Sequence, residues 1–323
     1  MTQGFDIVSG GVNLGLSQAI AQQLHQPLIT TELRRFANGE QYVRIAQPIR
    51  RRRIYLLTTC CIDENYSLND SLMEAILLAD AARRAAASEI VAVLPYLPYS
   101  RQDRKARERE PISAAAVLNL FRSVGVSHFI TIDLHSLQTQ AAVNCAFDNL
   151  TARPLILKQI RTHIKAHPAE YVVIAPDAGS IKSSTECAQQ LHIPLVFLPK
   201  LRDRQRSSQI TRPDQLDGVE GKNCLILDDM IDTGGTLMTA AAVLKRSGAH
   251  QIIAAATHGL LSQGAATKIK ASDLDFLYLT DTIPQSHNQN ILGDRLQVLS
   301  VAPLLAQAIQ RIDSGASILE LSA

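Results

Sequence analysis

The chain is expected to be an α/β protein built on mainly parallel sheets flanked by helices. Three observations predict it. Runs such as Ile90–Leu94 and Tyr171–Ala175 are short and apolar throughout, as strands covered on both faces must be. Between such runs lie segments with a helical period, the alternation expected of βαβ units. The third is Cys224–Leu237, where an apolar run, two acids, a glycine turn and a helical pattern follow one another within fourteen residues.

In chain order, Phe5–Ser9 reads as a strand, Gly10-Gly11 as its turn and the segment to about Leu24 as a helix. Strands are expected near Leu28–Leu33, Gln41–Ile45 and Arg53–Thr58. Asn69 to Ala86 is the clearest helix of the first half, with Asn69 as cap and Leu72, Met73, Ile76 and Ala79 on one face. Ile90–Leu94 ends in a loop whose Pro95 and Pro98 forbid helix. A helix from about Ser113 stops at Gly125, and His128–Ile132 is a strand delivering Asp133-Leu134-His135.

The first half closes near Leu150, which divides the chain into domains 1–150 and 151–323. In the second, Arg153–His167 has a helical period, and Tyr171–Ala175 and Leu195–Leu198 read as strands. A polar loop then opens at Lys200 and runs to about Gly221, too long for a plain connection. Gln251–Thr257 is a further strand. The last helix, Val301 to about Ile312, has Leu304, Leu305 and Ile309 on one face and is a candidate to pack back on the first domain.

Length and charge narrow the function. At 323 residues the chain suits about two domains. A net charge of +2 is too near neutral for a nucleic-acid binder, and the run Arg50–Arg53 reads as a solvated edge or subunit contact. No stretch approaches about 18 uncharged apolar residues, so no membrane span is expected. The start lacks the basic and apolar regions of a secretory signal. Five cysteines without Cys-x-x-Cys spacing point to reduced thiols in a cytoplasm rather than a disulfide framework or zinc site.

Cys224–Leu237 is the stretch richest in chemistry. Gly234 and Gly235 let the backbone turn tightly, Thr233 and Thr236 add hydroxyl donors, and the helix start carries partial positive charge: a cradle for phosphate. Asp228 and Asp229, just upstream, repel phosphate but accept hydrogen bonds from vicinal hydroxyls such as those of a ribose. The plainer alternative is that one acid caps the helix and the glycines only turn the chain.

Other segments are less decisive on their residues alone. Phe36 offers a ring, and Asn38 and Glu40 offer acceptors across a glycine turn, yet Asn38-Gly39 is equally a plain hairpin signal. Arg101, Gln102, Arg104 and Lys105 crowd one loop, as a polyphosphate site or a solvated basic loop would. His135 sits just past a parallel strand, where ligands bind or where a histidine serves structure. Asp177, also at a strand's carboxyl end, is a candidate magnesium ligand. Lys200 and Arg202 open the long loop, which as residues alone reads as a linker.

The spelling Asp228-Asp-Met-Ile-Asp-Thr-Gly-Gly-Thr236 resembles the phosphoribosyl-diphosphate loop of the phosphoribosyltransferase superfamily, and is most similar to that of the ribose-phosphate diphosphokinases. The resemblance runs from the Phe36 region to the last helix. It implies two phosphoribosyltransferase-like domains, an active site between them completed by a neighbouring subunit, and a homo-oligomer, a hexamer built from dimers. It implies transfer of the diphosphoryl group of ATP to the anomeric hydroxyl of ribose 5-phosphate, with Mg2+ as cofactor. Phe36, Asn38 and Glu40 are then implied to hold adenine, Arg101, Gln102 and Arg104 the rest of the nucleotide, and His135 and Asp177 the metal. Lys200 and Arg202 are implied to stabilise the group in transfer, Asp232 to Thr236 to bind the 5-phosphate, and Asp228 and Asp229 the ribose hydroxyls.

Four departures from the family pattern stand out: Asn38 for an aspartate, Ala115 for a lysine, Leu137 for an aspartate, and Ser180 with Lys182-Ser-Ser-Thr185 where glycine and arginines are common. They motivate one rival reading, a non-catalytic regulatory homologue. A phosphoribosyltransferase, which consumes the diphosphate, is the other.

Overall fold

The computed structural model describes residues 4–164, 167–177, 179–198 and 216–322. Lys200, Arg202 and most of the long polar loop lie outside the described residues. By contacts the chain forms two units. One comprises Met1–Ala152, Asp281–Pro284 and Ser300–Ala323, the other Arg153–Thr280 and Gln285–Leu299.

The first unit begins with β1 (Phe5–Ser9), α1 (Leu14–Gln23), β2 (Leu28–Ile29) and the antiparallel hairpin β3 (Thr31–Arg35) and β4 (Gln41–Ile45). It continues through β5 (Arg53–Leu57), α2 (Leu68–Arg84), β6 (Glu89–Leu94), α3 (Ser113–Ser123), β7 (His128–Ile132) and β8 (Ala146–Leu150). Its main sheet has the order β2-β1-β5-β6-β7-β8 and is parallel at every step.

The second unit runs α4 (Arg153–Ile164), β9 (Tyr171–Ala175), α5 (Ile181–Leu191), β10 (Leu195–Phe197), β11 (Asn223–Ile231) and α6 (Gly235–Arg246). Next come β12 (Gln251–Gly259), α7 (Ala265–Lys270), β13 (Phe276–Thr280), α8 (Ser286–Leu292) and β14 (Leu296–Leu299). The sheet order is β10-β9-β11-β12-β13-β14, again wholly parallel. Numbered within each unit, leaving the β3–β4 hairpin aside, both sheets read 2-1-3-4-5-6. The winding direction therefore reverses at the same place in each, between β1 and β5 and between β9 and β11.

Apolar strands explain the cores. Val8, Ile54, Leu56, Ile90 and Ala92 are fully covered in the first unit, packed against Ala75, Leu78 and Ala79 of α2 and Leu118 and Phe121 of α3. The last helix, α9 (Ala302–Ser314), belongs to the first unit, where it packs on α1 with Leu305 and Ile309 inward. Arg53 anchors it through Asp313 at 2.9 Å.

Several sequence expectations shift. The expected strand Leu28–Leu33 breaks at Thr30 into β2 and β3, which serve different sheets. The α2 cap is Ser67, whose hydroxyl accepts from the Asp70 amide at 3.1 Å while Asp70 reaches back to the Ser67 amide at 2.9 Å, a capping box. Asn69 instead accepts from the Tyr99 hydroxyl at 2.6 Å. Met73 is 49% exposed, because the buried stripe of α2 runs through Leu72, Ala75, Leu78 and Ala79.

In the first unit the crevice at the winding reversal is filled by side chains. Glu74, buried, accepts from the Gly11 amide and from the Tyr66 hydroxyl, each at 2.7 Å. Thr58, Thr59, Cys60 and Cys61, the residues just past β5, are all buried as well. All five cysteines are free thiols, and burial pushes the Cys60, Cys61 and Cys224 thiols up, away from the reactive thiolate.

Candidate active site

The paired acids do not follow their strand. β11 continues through Asp228 and Asp229 to Ile231, paired with β12 as far as Ile231 and Gly259. On its other side, pairing with β9 stops at Ile226 and Ile174. The acids thus sit where β11 has lost one neighbour, at the carboxyl end of the sheet and at its winding reversal, the place where open parallel sheets bind ligands.

Asp228 is exposed, yet the protein atoms crowded around it, with Asp229 beside it, push its carboxyl up to about 7. Asp229 adds to the rise, and Asp177 adds a smaller like-charge contribution. The Asp229 amide donates to Asp228 Oδ1 at 2.9 Å and works the other way. Three carboxylates from the ends of neighbouring strands therefore share one field.

Asp177 is partly committed already. Its Oδ1 accepts from the amides of Gly179 at 2.8 Å and Ser180 at 3.0 Å, fixing the turn that leads into α5. Ser180, which stands where the family has glycine, closes that turn through its hydroxyl to the Asp177 carbonyl at 2.9 Å.

After Ile231 the chain turns through Asp232 and Thr233 into α6, which starts at Gly235. Gly234 has φ of 72°, the left-handed region that favours glycine, while a Cβ there would meet Ile269 and Ala265 only at ordinary contact distance, so backbone freedom rather than space calls for glycine. Thr233 and Thr236 are exposed, and the first amides of α6 have no partner within the helix, which suits an anion. The Ser262 hydroxyl donates to Asp232 Oδ1. Sequence reasoning passed over Ser262: a serine after two leucines carries no signal of its own.

In the first unit, Arg101, Gln102 and Arg104 line a cleft of about 570 Å³ together with His135, Ser136 and Gln138. Tyr99, held at φ of 61° with its hydroxyl on Asn69, turns the chain from the buried Leu94–Leu97 segment outward to Arg101. Gln102 is tied to α3 by the Ser113 hydroxyl. His135 follows Asp133, whose φ of 41° and Oδ2 contact with the Ala152 amide at 3.0 Å swing the chain away from the sheet.

Phe36, Asn38 and Glu40 do not line this cleft. They form the tip of the β3–β4 hairpin, where the Phe36 amide donates to the Glu40 carbonyl at 2.8 Å and Asn38 Oδ1 accepts from the Glu40 amide at 3.2 Å. Phe36 is 47% exposed and meets Tyr42 edge-on, with the Arg34 guanidinium over both rings.

Among the described residues no three or more His, Cys, Asp or Glu side chains cluster as a metal cage. Magnesium usually keeps waters and substrate phosphates and takes only one or two carboxylates, so the crowded negative field around Asp177, Asp228 and Asp229 fits such an ion.

A wholly parallel sheet with paired acids and a Thr-Gly-Gly-Thr turn at its winding reversal is the arrangement of the phosphoribosyltransferase fold class. A ribose-phosphate pyrophosphokinase from Ralstonia nicotianae is 38% identical over 100% of this chain and 99% of its own length. The chain belongs to the ribose-phosphate pyrophosphokinase family. Residues 5–125 match the family model for the N-terminal domain of ribose phosphate pyrophosphokinase, and residues 209–322 that for the phosphoribosyl synthetase-associated domain. Ribose-phosphate pyrophosphokinase A of Dictyostelium discoideum is 36% identical over 98% of this chain and 96% of its own. Among solved structures, phosphoribosylpyrophosphate synthetase from Mycobacterium smegmatis matches 97% of this chain and 100% of its own, at 34% identity and a TM-score of 0.87.

Proposed function

We propose that the chain transfers the diphosphoryl group of ATP to the anomeric hydroxyl of ribose 5-phosphate, releasing AMP and forming 5-phosphoribosyl 1-diphosphate. The observation that carries this reading is the sugar-phosphate loop from Asp228 to Thr236, set at the winding reversal of a chain that family members match from end to end.

In this reading the backbone from Asp232 to Thr236, the threonine hydroxyls and the start of α6 take the 5-phosphate, and Asp228 and Asp229 accept from the ribose hydroxyls. That contact brings donors to a carboxylate pair that is otherwise held against like charge. Arg101, Gln102, Arg104 and His135 serve the nucleotide, which the grouping of these residues around one cleft supports. Lys200 and Arg202 neutralise the group in transfer. Mg2+, when bound, offsets polyphosphate charge, with His135 and Asp177 as its candidate protein contacts. The anomeric hydroxyl bonds through its oxygen to the β-phosphorus and gives its proton up to water. As it does so the β-phosphorus–oxygen bond to AMP breaks, and that oxygen leaves with AMP. Positioning and charge neutralisation therefore do the work and no enzyme-bound intermediate is needed.

The exposed hairpin tip supports a homo-oligomer in which Phe36, Asn38 and Glu40 serve the adenine of a neighbouring copy, since they do not line the nucleotide cleft of their own chain. No described helix is long and apolar enough to cross a membrane, and the free, mostly buried cysteines support a cytoplasmic setting.

Purified chain supplied with ATP, Mg2+ and ribose 5-phosphate should release AMP and 5-phosphoribosyl 1-diphosphate in equal amounts. Binding of ribose 5-phosphate without AMP release would instead favour the regulatory homologue.

A further inference from the structure

Asp232 poses a problem for its own loop: a carboxylate at the mouth of a phosphate cradle repels the ligand the cradle is built for. We infer that Ser262 is a positioning residue for the sugar-phosphate loop, holding the Asp232 carboxylate aside so that amides and hydroxyls face the phosphate. This rests on the sugar-phosphate reading above.

The segment carrying Ser262 is fastened to the loop at three levels. Gly259 pairs in register with Ile231, and the next two amides, Leu260 and Leu261, both donate to the Ile231 carbonyl at 2.9 and 3.2 Å. The Ser262 hydroxyl then reaches Asp232 Oδ1. Beyond it the Ala265 amide donates to the Ser262 carbonyl at 3.0 Å, and Ala265 and Ile269 of α7 pack beneath Gly234.

The path is costly for the chain, which shows that it is tightly specified. Leu261 and Gln263 take φ of 45° and 53°, a region that non-glycine residues seldom occupy. A Cβ on Gly259 would lie 2.4 Å from Leu279 Cδ1, so any other residue there would have to displace the buried Leu279 side chain. Gln285 Nε2 donates to the Gly259 carbonyl at 2.7 Å and pins it from the other side. The outcome of all this is one hydroxyl placed on one carboxylate.

Ser262→Ala and Ser262→Thr test the assignment, with affinity for ribose 5-phosphate measured by calorimetry without nucleotide and KM values measured by AMP release. Ser262→Ala should weaken ribose 5-phosphate binding about tenfold and raise its KM alike, with KM for ATP within about twofold; Ser262→Thr should restore most of the loss. In an Asp232→Asn background, where no charge needs holding, the Ser262→Ala loss should shrink to under about threefold. Equal losses for both substrates, or full additivity with Asp232→Asn, would overturn the inference. Wild-type protein that binds ribose 5-phosphate but makes no AMP removes the catalytic reading alone, because the affinity ratios still decide Ser262. Wild-type protein that binds no ribose 5-phosphate removes both.

Discussion

At the scale of single residues, binding and stability oppose one another at Asp228. Its carboxyl is raised from the ordinary 3.8 to about 7, first by burial and then by Asp229. A carboxyl raised in the folded state binds its proton more tightly there than in the unfolded chain. Its ionisation therefore works against the fold: the penalty is absent below about pH 4, grows through the interval up to about 7 and is complete above it. Asp228→Asn removes the charge and keeps an acceptor for the Asp229 amide. The variant should match wild type in Tm near pH 4 and exceed it only slightly at pH 8, because solvent at the exposed side chain screens much of the penalty, while losing affinity for ribose 5-phosphate. Equal Tm differences at both pH values would show that Asp228 is an ordinary surface acid.

Residue by residue, the sequence displays chemistry better than attachment. Asp228, Asp229 and the Thr-Gly-Gly-Thr turn announce themselves because adjacent acids and glycines have few other uses beside a strand. Ser262 does not, since the meaning of a hydroxyl depends on a partner thirty positions away. Asp177 shows both sides: its place at a strand end is readable, but its bonds to Gly179 and Ser180 appear only with the folded turn.

At the scale of elements, what is read well is what is local. β1, β4, β7 and β9 run between the residues their apolar patterns indicate. Misreadings arise where tertiary pairing overrules pattern. β11 runs on through two acids because β12 continues to pair with it, and β2 and β3 part at Thr30 because they belong to different sheets. The α2 start is a further case, since Ser67 and Asp70 cap each other although Asn69 looks the better cap. Ser67→Ala should lower stability by about 1 kcal/mol, the usual worth of such a cap. Denaturant unfolding measures it, and Asn69→Ala should spare that cap and lose only the Tyr99 contact.

At the scale of the whole molecule, α9 completes the first unit across almost the entire sequence. Leu305 is fully buried, the Tyr55 hydroxyl donates to the Ile309 carbonyl at 3.4 Å, and Arg53 holds Asp313. Leu305→Ala should cost about 2–5 kcal/mol through the lost side chain and the cavity it leaves. Amide exchange should then quicken in β1 and β5 and change little in β12 and β13. Equal quickening in both sheets would mean that α9 stabilises the chain as one body.

The matching strand orders have a consequence for how this chain came to divide its labour. No repeat is visible in the letters, yet each half winds the same way and opens a crevice at the same point. In the second half that opening keeps acids and glycines; in the first, Glu74, Tyr66 and the Thr58–Cys61 segment stopper it. Of two equivalent openings, the first is occupied by the chain's own side chains, and the cleft of that half lies instead on the loops after β6 and β7. Two halves that wind alike but leave different places open have room for two ligands that need not compete for one crevice.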